Sequence, residues 1–218
     1  GAVHAPIQVP KEWRDKYKGQ FDDGWHAYRA QQLERQKKLG LVPEDAKMVD
    51  WPEVLPTWDS FSKEGKAYLA RQMEVNAAFL EHVDYHIGRL IEHLEEMDEL
   101  DNTLIIYLTA DNGATAEGTP TGTFSELLMQ NGFPPLTMEQ QLEKLEEFGG
   151  LDAWGGPHMA NHFSVAWAYA SSTPFQWTKQ MASHFGGTMS ATAIRYPKAI
   201  KARGEWRRQF QNVIDLVP

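Results

Sequence analysis

The sequence has no cysteine, which removes disulfides, thiolate metal sites and a cysteine nucleophile from all 218 residues. It also lacks any apolar run approaching the roughly 20 residues of a membrane-spanning helix, so no membrane span is expected. Nothing near Gly1 has the order of a signal peptide. Positive charge is scarce too. With 21 Lys and Arg against 30 Asp and Glu the formal charge is −9, which argues against nucleic acid or anionic membrane as a partner, though one local basic pocket would still hold an anion. What is present is apolar and aromatic: 42% hydrophobic and 11% aromatic content is enough for a substantial core in one globular unit.

Both ends read as interior sequence. "GAVHAPIQVP" is irregular and Pro-rich, and "NVIDLVP" stops within an apolar run, so the chain is expected to be the middle of something longer. The compartment is left open, because a leader would lie upstream.

Along the chain helical and strand signals alternate. From Lys11 to Lys38, Trp13, Tyr17, Trp25, Tyr28 and Leu33 recur at roughly helical spacing, broken by Gly19 and Gly24, which predicts two short surface helices. Residues 40–57 carry Gly40, Pro43, Pro52 and Pro56 and are expected to loop. Leu69, Met73, Leu80, Val83, Ile87, Leu90 and Leu94 then form a single stripe from about residue 60 to 97, predicting a long helix packed against a core. "DNTLIIYLT" supplies a turn and a continuous apolar strand of the kind covered on both faces in a parallel or mixed sheet. Residues 118–164 read as an excursion around one amphipathic piece, Met138 to Phe148. "ATAIRYP" is a further strand candidate, and "SVAWAYA" is a strand or a short buried helix.

The strand at 103–109 runs into Asp111, Asn112 and Gly113. Ligand groups in open α/β sheets gather beyond the carboxyl ends of strands. A carboxylate beside an amide carbonyl offers hard oxygens suited to Ca²⁺ or Mg²⁺, and Gly113 would let the backbone turn away from both. Taken alone, "DNG" reads first as a simple turn, and the metal reading comes second. His82 and His86, with His93 beyond them, and His158 and His162 have the four-residue spacing that grips zinc. The first pair lacks the glutamate of the His-Glu-x-x-His pattern and neither shows a third ligand, so neither is read as a zinc site. His158, Asn161 and His162 are taken instead as pocket neighbours.

"LIIYLTADNGATAEG" resembles a metal-binding motif of the sulfatase family, and "TPFQWTKQMASHFGGTMSATAIRYPKAIKARGEWRRQFQNVIDLVP" resembles the stretch that follows it in bacterial arylsulfatases. "VHAPIQVPKEWRDKYKGQFDDGWHAYRAQQLERQKKLGLVPED" and "RQMEVNAAFLEHVDYHIGRLIEHL" resemble the segment and helix that precede it. The order and spacing of the four cover the whole chain. The resemblance implies an α/β chain with an alkaline-phosphatase-like sulfatase fold, a mixed sheet flanked by helices, and residues 1–218 as part of a single catalytic domain. Asp111 and Asn112 match paired ligands of a calcium ion, with magnesium as the other candidate, and Asp111 also lies near the nucleophile in such enzymes. His4 matches a histidine that hydrogen-bonds the sulfate or protonates the departing oxygen, and Lys179 a lysine facing the sulfate. His184 matches a pocket-lining, substrate-side position, for which a structural role is an equal alternative. Gly186 and Gly187 are expected to permit a tight turn into the next strand.

The departures from the family pattern are as informative. Sulfatases carry a formylglycine made from a Cys/Ser-x-Pro-x-Arg motif, and none occurs here; "STPFQ" at Ser172 to Gln176 ends in glutamine. The family's further aspartate ligands would precede His4, and Met189 stands where an arginine is expected. The expectation is therefore a sulfuric ester hydrolase acting on a small-molecule sulfate ester, with its nucleophile and the rest of the sulfatase chain lying outside these residues, and this portion inactive alone. The runners-up are a phosphoryl hydrolase of the same superfamily and a non-catalytic interaction module.

Overall fold

The computed structural model describes residues 4–216. Helix α1 (Lys11–Arg14) and helix α2 (Gly24–Lys38) lead into helix α3 (Lys63–Glu96), the 34-residue axis of the molecule. Strand β1 (Ile105–Leu108) follows, then helix α4 (Leu127–Gln130), helix α5 (Met138–Glu147), helix α6 (Val165–Ser171), helix α7 (Phe185–Thr188) and strand β2 (Thr192–Arg195).

Helix α3 starts where the Ser62 hydroxyl accepts a hydrogen bond from the Gly65 amide at 3.1 Å, satisfying one of the free donors of the first turn. Its first half is buried on every side, from Tyr68, Leu69 and Ala70 through Arg71, Gln72, Met73, Glu74 and Val75. Around it stand Trp25, Trp58, Trp154 and Trp167, with Trp25 edge-on to Trp58 at 4.8 Å and to Trp167 at 5.6 Å. The buried indole N–H of Trp167 donates to Leu69 O at 2.8 Å. Charge enters this core in two ways: the Arg14 and Arg29 guanidiniums are buried against backbone carbonyls, Arg29 donating to Val49 O at 2.8 Å, while Arg71 and Glu74 form an ion pair. Arg71 donates to Glu74 and to Asp15 at 2.9 Å each, and Glu74 accepts from the Gly19 amide at 2.7 Å, so the guanidinium and carboxylate neutralise one another.

The second half of α3 behaves differently from the sequence expectation of one packed stripe. Leu80 and Leu90 are 46% and 61% exposed and Val83, Ile87 and Leu94 only half-buried, because the tryptophan layer that encloses the first half ends near Ala78 and beyond it the helix meets α1 through Trp13 against His82 and Tyr85.

The strand at 103–109 forms as predicted, but its surroundings do not. It pairs antiparallel with β2, Ile105 opposite Arg195 and Leu108 opposite Thr192, and the described residues form this two-stranded sheet rather than a mixed one. Neither face is closed, with Tyr107 37% and Leu108 38% exposed. An apolar run records that a strand is to be buried, not which segment does it. "SVAWAYA" is helix α6, fully buried from Ala166 to Ala170 and capped by Ser164. Helix α5 occupies the amphipathic piece and opens with a capping box of Thr137 and Gln140.

Candidate functional site

Gln72, on the buried half of α3, organises the loops that carry the candidate residues. Its amide donates to Thr121 O at 2.9 Å and its carbonyl accepts from the Ser164 amide at 2.8 Å. The 119–123 and 160–165 segments are thereby held side by side, with Thr123 and His162 exchanging two main-chain hydrogen bonds at 2.9 Å and Val165 N donating to Thr119 O at 2.9 Å.

Asp111 and Asn112 sit just past β1, Asp111 exposed, its Oδ1 accepting from Asn112 Nδ2 at 2.7 Å. Gly113 donates to Gly187 O at 3.0 Å. A Cβ at Gly113 would lie 1.7 Å from Gly186 O, so glycine is required here for close approach; φ is not positive, and the expected sharp turn is not its reason. Gly186 and Gly187 also serve contact: side chains there would meet Trp177 O at 2.1 Å and Met181 O at 2.5 Å, while the pair itself lies within α7.

Lys179 belongs to the same patch. Its amide donates to Ala114 O at 2.9 Å, and its ammonium lies 3.9 Å from Glu117 Oε1, which also accepts from Gln180 at 3.0 Å. Trp177 and Gln180 flank it with φ of 66° and 76°, and Thr119 has φ of 65°. Three of the four non-glycine residues with positive φ among the described residues thus bracket this patch, a concentration of backbone strain typical of sites where geometry is imposed.

His4 is exposed and its Nδ1 contacts Ala5 O at 2.9 Å; since a carbonyl only accepts, Nδ1 carries the proton and Nε2 is left outward. The segment that follows is tied in by Ile7 N donating to Asn161 O at 3.2 Å. His184 is half-buried, its Nδ1 2.8 Å from Ser183 Oγ and its ring edge-on to Trp177 at 6.2 Å. Met189 is 57% exposed. His158 is exposed and lines a separate cavity of about 110 Å³ with Arg14, Phe148 and Met159. His162 is fully buried beside Glu117, and burial first of all holds its imidazole below the ordinary range, reinforced by the positive charge of His4 and Lys179 and opposed by the Phe163 carbonyl and Glu117. Glu117 and Glu126 had no local sequence signal; their proximity to His162 follows from the bridge at Thr123.

The 111–118 segment, Lys179 and the glycine pair therefore share one surface through main-chain bonds, with His4 and Lys179 both within electrostatic reach of His162. The sequence profile of the sulfatase family matches residues 1–218. The chain belongs to the sulfatase family. An uncharacterized sulfatase of Schizosaccharomyces pombe (strain 972 / ATCC 24843) is 36% identical over 227 residues, covering all of this chain and 36% of its own length. An arylsulfatase of Klebsiella aerogenes is 29% identical over 218 residues, covering all of this chain and 43% of its own. This sulfatase chain thus spans well under half the length of these relatives. The family implies an alkaline-phosphatase-like α/β fold, with which the small sheet and flanking helices are compatible as part of a domain.

Proposed function

We propose that the chain supplies part of the active site of a sulfuric ester hydrolase of arylsulfatase type, within a single alkaline-phosphatase-like catalytic domain whose mixed sheet is completed by other parts of the protein. The observation that carries this reading is the pair of main-chain hydrogen bonds, Lys179 N to Ala114 O at 2.9 Å and Gly113 N to Gly187 O at 3.0 Å, which set Lys179 beside the strand end bearing Asp111 and Asn112.

The donor set fits a hard divalent cation, calcium first and magnesium second. Asp111 offers carboxylate oxygens, and Asn112, whose NH₂ now faces Asp111, offers its carbonyl oxygen after a half-turn of the amide. Two ligands do not complete the shell of either ion, so the remainder comes from elsewhere in the full protein. When bound, the ion would neutralise charge on the sulfate oxygens. Lys179 would place a point charge against the ester, and its present contact with Glu117, at 3.9 Å, is loose enough to be exchanged for an anion. His4, with Nε2 outward, would hydrogen-bond the sulfate or, when protonated, deliver a proton to the departing oxygen. Asp111 would also assist the formylglycine nucleophile contributed from outside these residues. His184, held by Ser183 and Trp177, would line the pocket.

The test is hydrolysis of a nitrophenyl sulfate by the full-length protein, with the phosphate ester in parallel. The sulfate is expected to react faster, chelation of divalent ions to abolish turnover, and Lys179→Ala and Asp111→Asn each to lower kcat/KM by about 100-fold or more. Faster turnover of the phosphate would favour a phosphoryl hydrolase of the same superfamily. Loss of stability without loss of any divalent-dependent activity would favour an interaction module, of which this chain alone would be the inactive part.

A further inference from the structure

We propose that Glu117, Glu126 and His162 form a second divalent-cation site, distinct from the Asp111–Asn112 pair and suited to a first-row ion such as Zn²⁺ or Mn²⁺. One carboxylate oxygen of each glutamate and a ring nitrogen of His162 lie within 4.8 Å of one another, close enough for a single ion to reach all three. The imidazole is prepared for it. Nδ1 lies 2.9 Å from the Phe163 carbonyl, which only accepts, so Nδ1 bears the proton and Nε2 presents its lone pair. That Nε2 is completely buried and has no hydrogen-bond partner among the described residues, an arrangement that costs free energy unless a cation or a donor meets it. An imidazole oriented through its other nitrogen by a backbone carbonyl is also the arrangement in which histidines ligate metals.

The backbone is shaped around the same point. A Cβ at Gly118 would lie 1.7 Å from Phe163 O and 2.6 Å from His162 Nδ1, so only glycine lets the chain carry Glu117 this close to the ring. Glu126 is fixed from the other side by its amide donating to Ala160 O at 2.8 Å. Two carboxylates with one imidazole make a borderline donor set that favours zinc or manganese over calcium, which takes oxygen throughout. Lys179, 3.9 Å from Glu117, offsets one of the two negative charges, and Glu126 has no ion pair among the described residues. The ion would compete with Lys179 for Glu117 while leaving Asp111 untouched.

The experiment is calorimetric titration with Zn²⁺ and with Mn²⁺ of the full-length protein, chelator-treated and then resupplied with Ca²⁺, in a His86→Ala background that removes the exposed imidazole pair His82–His86, whose Nε2 atoms lie 3.1 Å apart. One equivalent of ion is expected to bind, and Co²⁺ in its place is expected to show visible d–d absorption. Glu126→Gln and Glu117→Gln should each weaken Zn²⁺ binding by about 10- to 100-fold or more, with loss of the cobalt band, while Asp111→Asn changes it by less than about twofold. Far-UV circular dichroism and thermal midpoint verify that the glutamine variants fold; His162→Gln is not relied on, because the residue is fully buried. No binding in the background protein, binding that survives both glutamine variants, or binding abolished by Asp111→Asn would each overturn the proposal. Since none of these readouts uses ester hydrolysis, the site stands or falls separately from the sulfatase activity.

Discussion

His26 and His162 are two of the three histidines whose protonation is made costly chiefly by desolvation, the third being the exposed His86; at His26, itself partly open to solvent, the guanidinium of Arg29 adds to the effect. Both are held below their ordinary values in the folded chain, so the unfolded chain takes up protons first as the solution is acidified. Stability is therefore full above the unfolded value and falls as pH drops below it, the loss continuing until the folded group also protonates. The thermal midpoint is expected to decline as the solution is acidified below about pH 6.5, with His26→Gln flattening part of that slope. A midpoint that stays constant on acidification below that pH, measured at fixed ionic strength, would contradict the assignment. Asp15 and Asp59 act in a lower window. Lysine hydrogen bonds hold both carboxyls down, Lys11 for Asp15 and Lys66 for Asp59, so their contribution is present above the usual carboxylate range and is lost as pH falls through it.

Helix α3 shows what an element owes to its own residues and what it owes to its neighbours. Its start is local: Ser62 caps the Gly65 amide, and Ser62→Ala is expected to cost about 1 kcal/mol, read by chemical denaturation, with little change in circular dichroism. Its length follows from the three- and four-residue recurrence of Leu69 through Leu94. Its burial is not local. Leu69 and Leu90 belong to the same stripe, yet Leu69 is fully enclosed by the tryptophan layer and Leu90 is 61% exposed. Strand β1 repeats the lesson, since a run of apolar residues is compatible with an antiparallel partner and open faces as well as with a covered sheet. Helix α6 resolves an ambiguity that period alone cannot: seven residues fit strand or helix, and the Ser164 cap together with packing against α2 decides for helix.

Across the whole molecule, one buried ionic set joins segments far apart in the chain. Arg71 meets Glu74, Asp15 and the Arg14 carbonyl, and Glu74 meets the Gly19 amide. The side chains of Arg71 and Glu74 are only 4% and 6% exposed, so solvent does little to screen the pair. Glu74→Ala would leave the buried guanidinium only the part-exposed Asp15 as a counter-charge and is expected to cost about 3 kcal/mol in urea unfolding, the lower end for a broken buried pair. Arg71→Met with Glu74→Leu is expected to cost less than the two single replacements combined, because neither charge is then left alone.

Residues near one another in sequence were enough to define α3, α5, both strands and the adjacency of Asp111 and Asn112 to a strand end, since periodicity, capping and turn chemistry act over a few residues. They also carried the likeness to sulfatases that the family match bears out. Only the tertiary structure decided which apolar positions are covered, that the glycines at 113, 186 and 187 are there for close contact, and that Glu117 and Glu126 meet His162. Those outcomes depend on Gln72 and the Thr123–His162 bridge drawing distant segments together, and no local pattern encodes a contact whose partner lies some forty residues away.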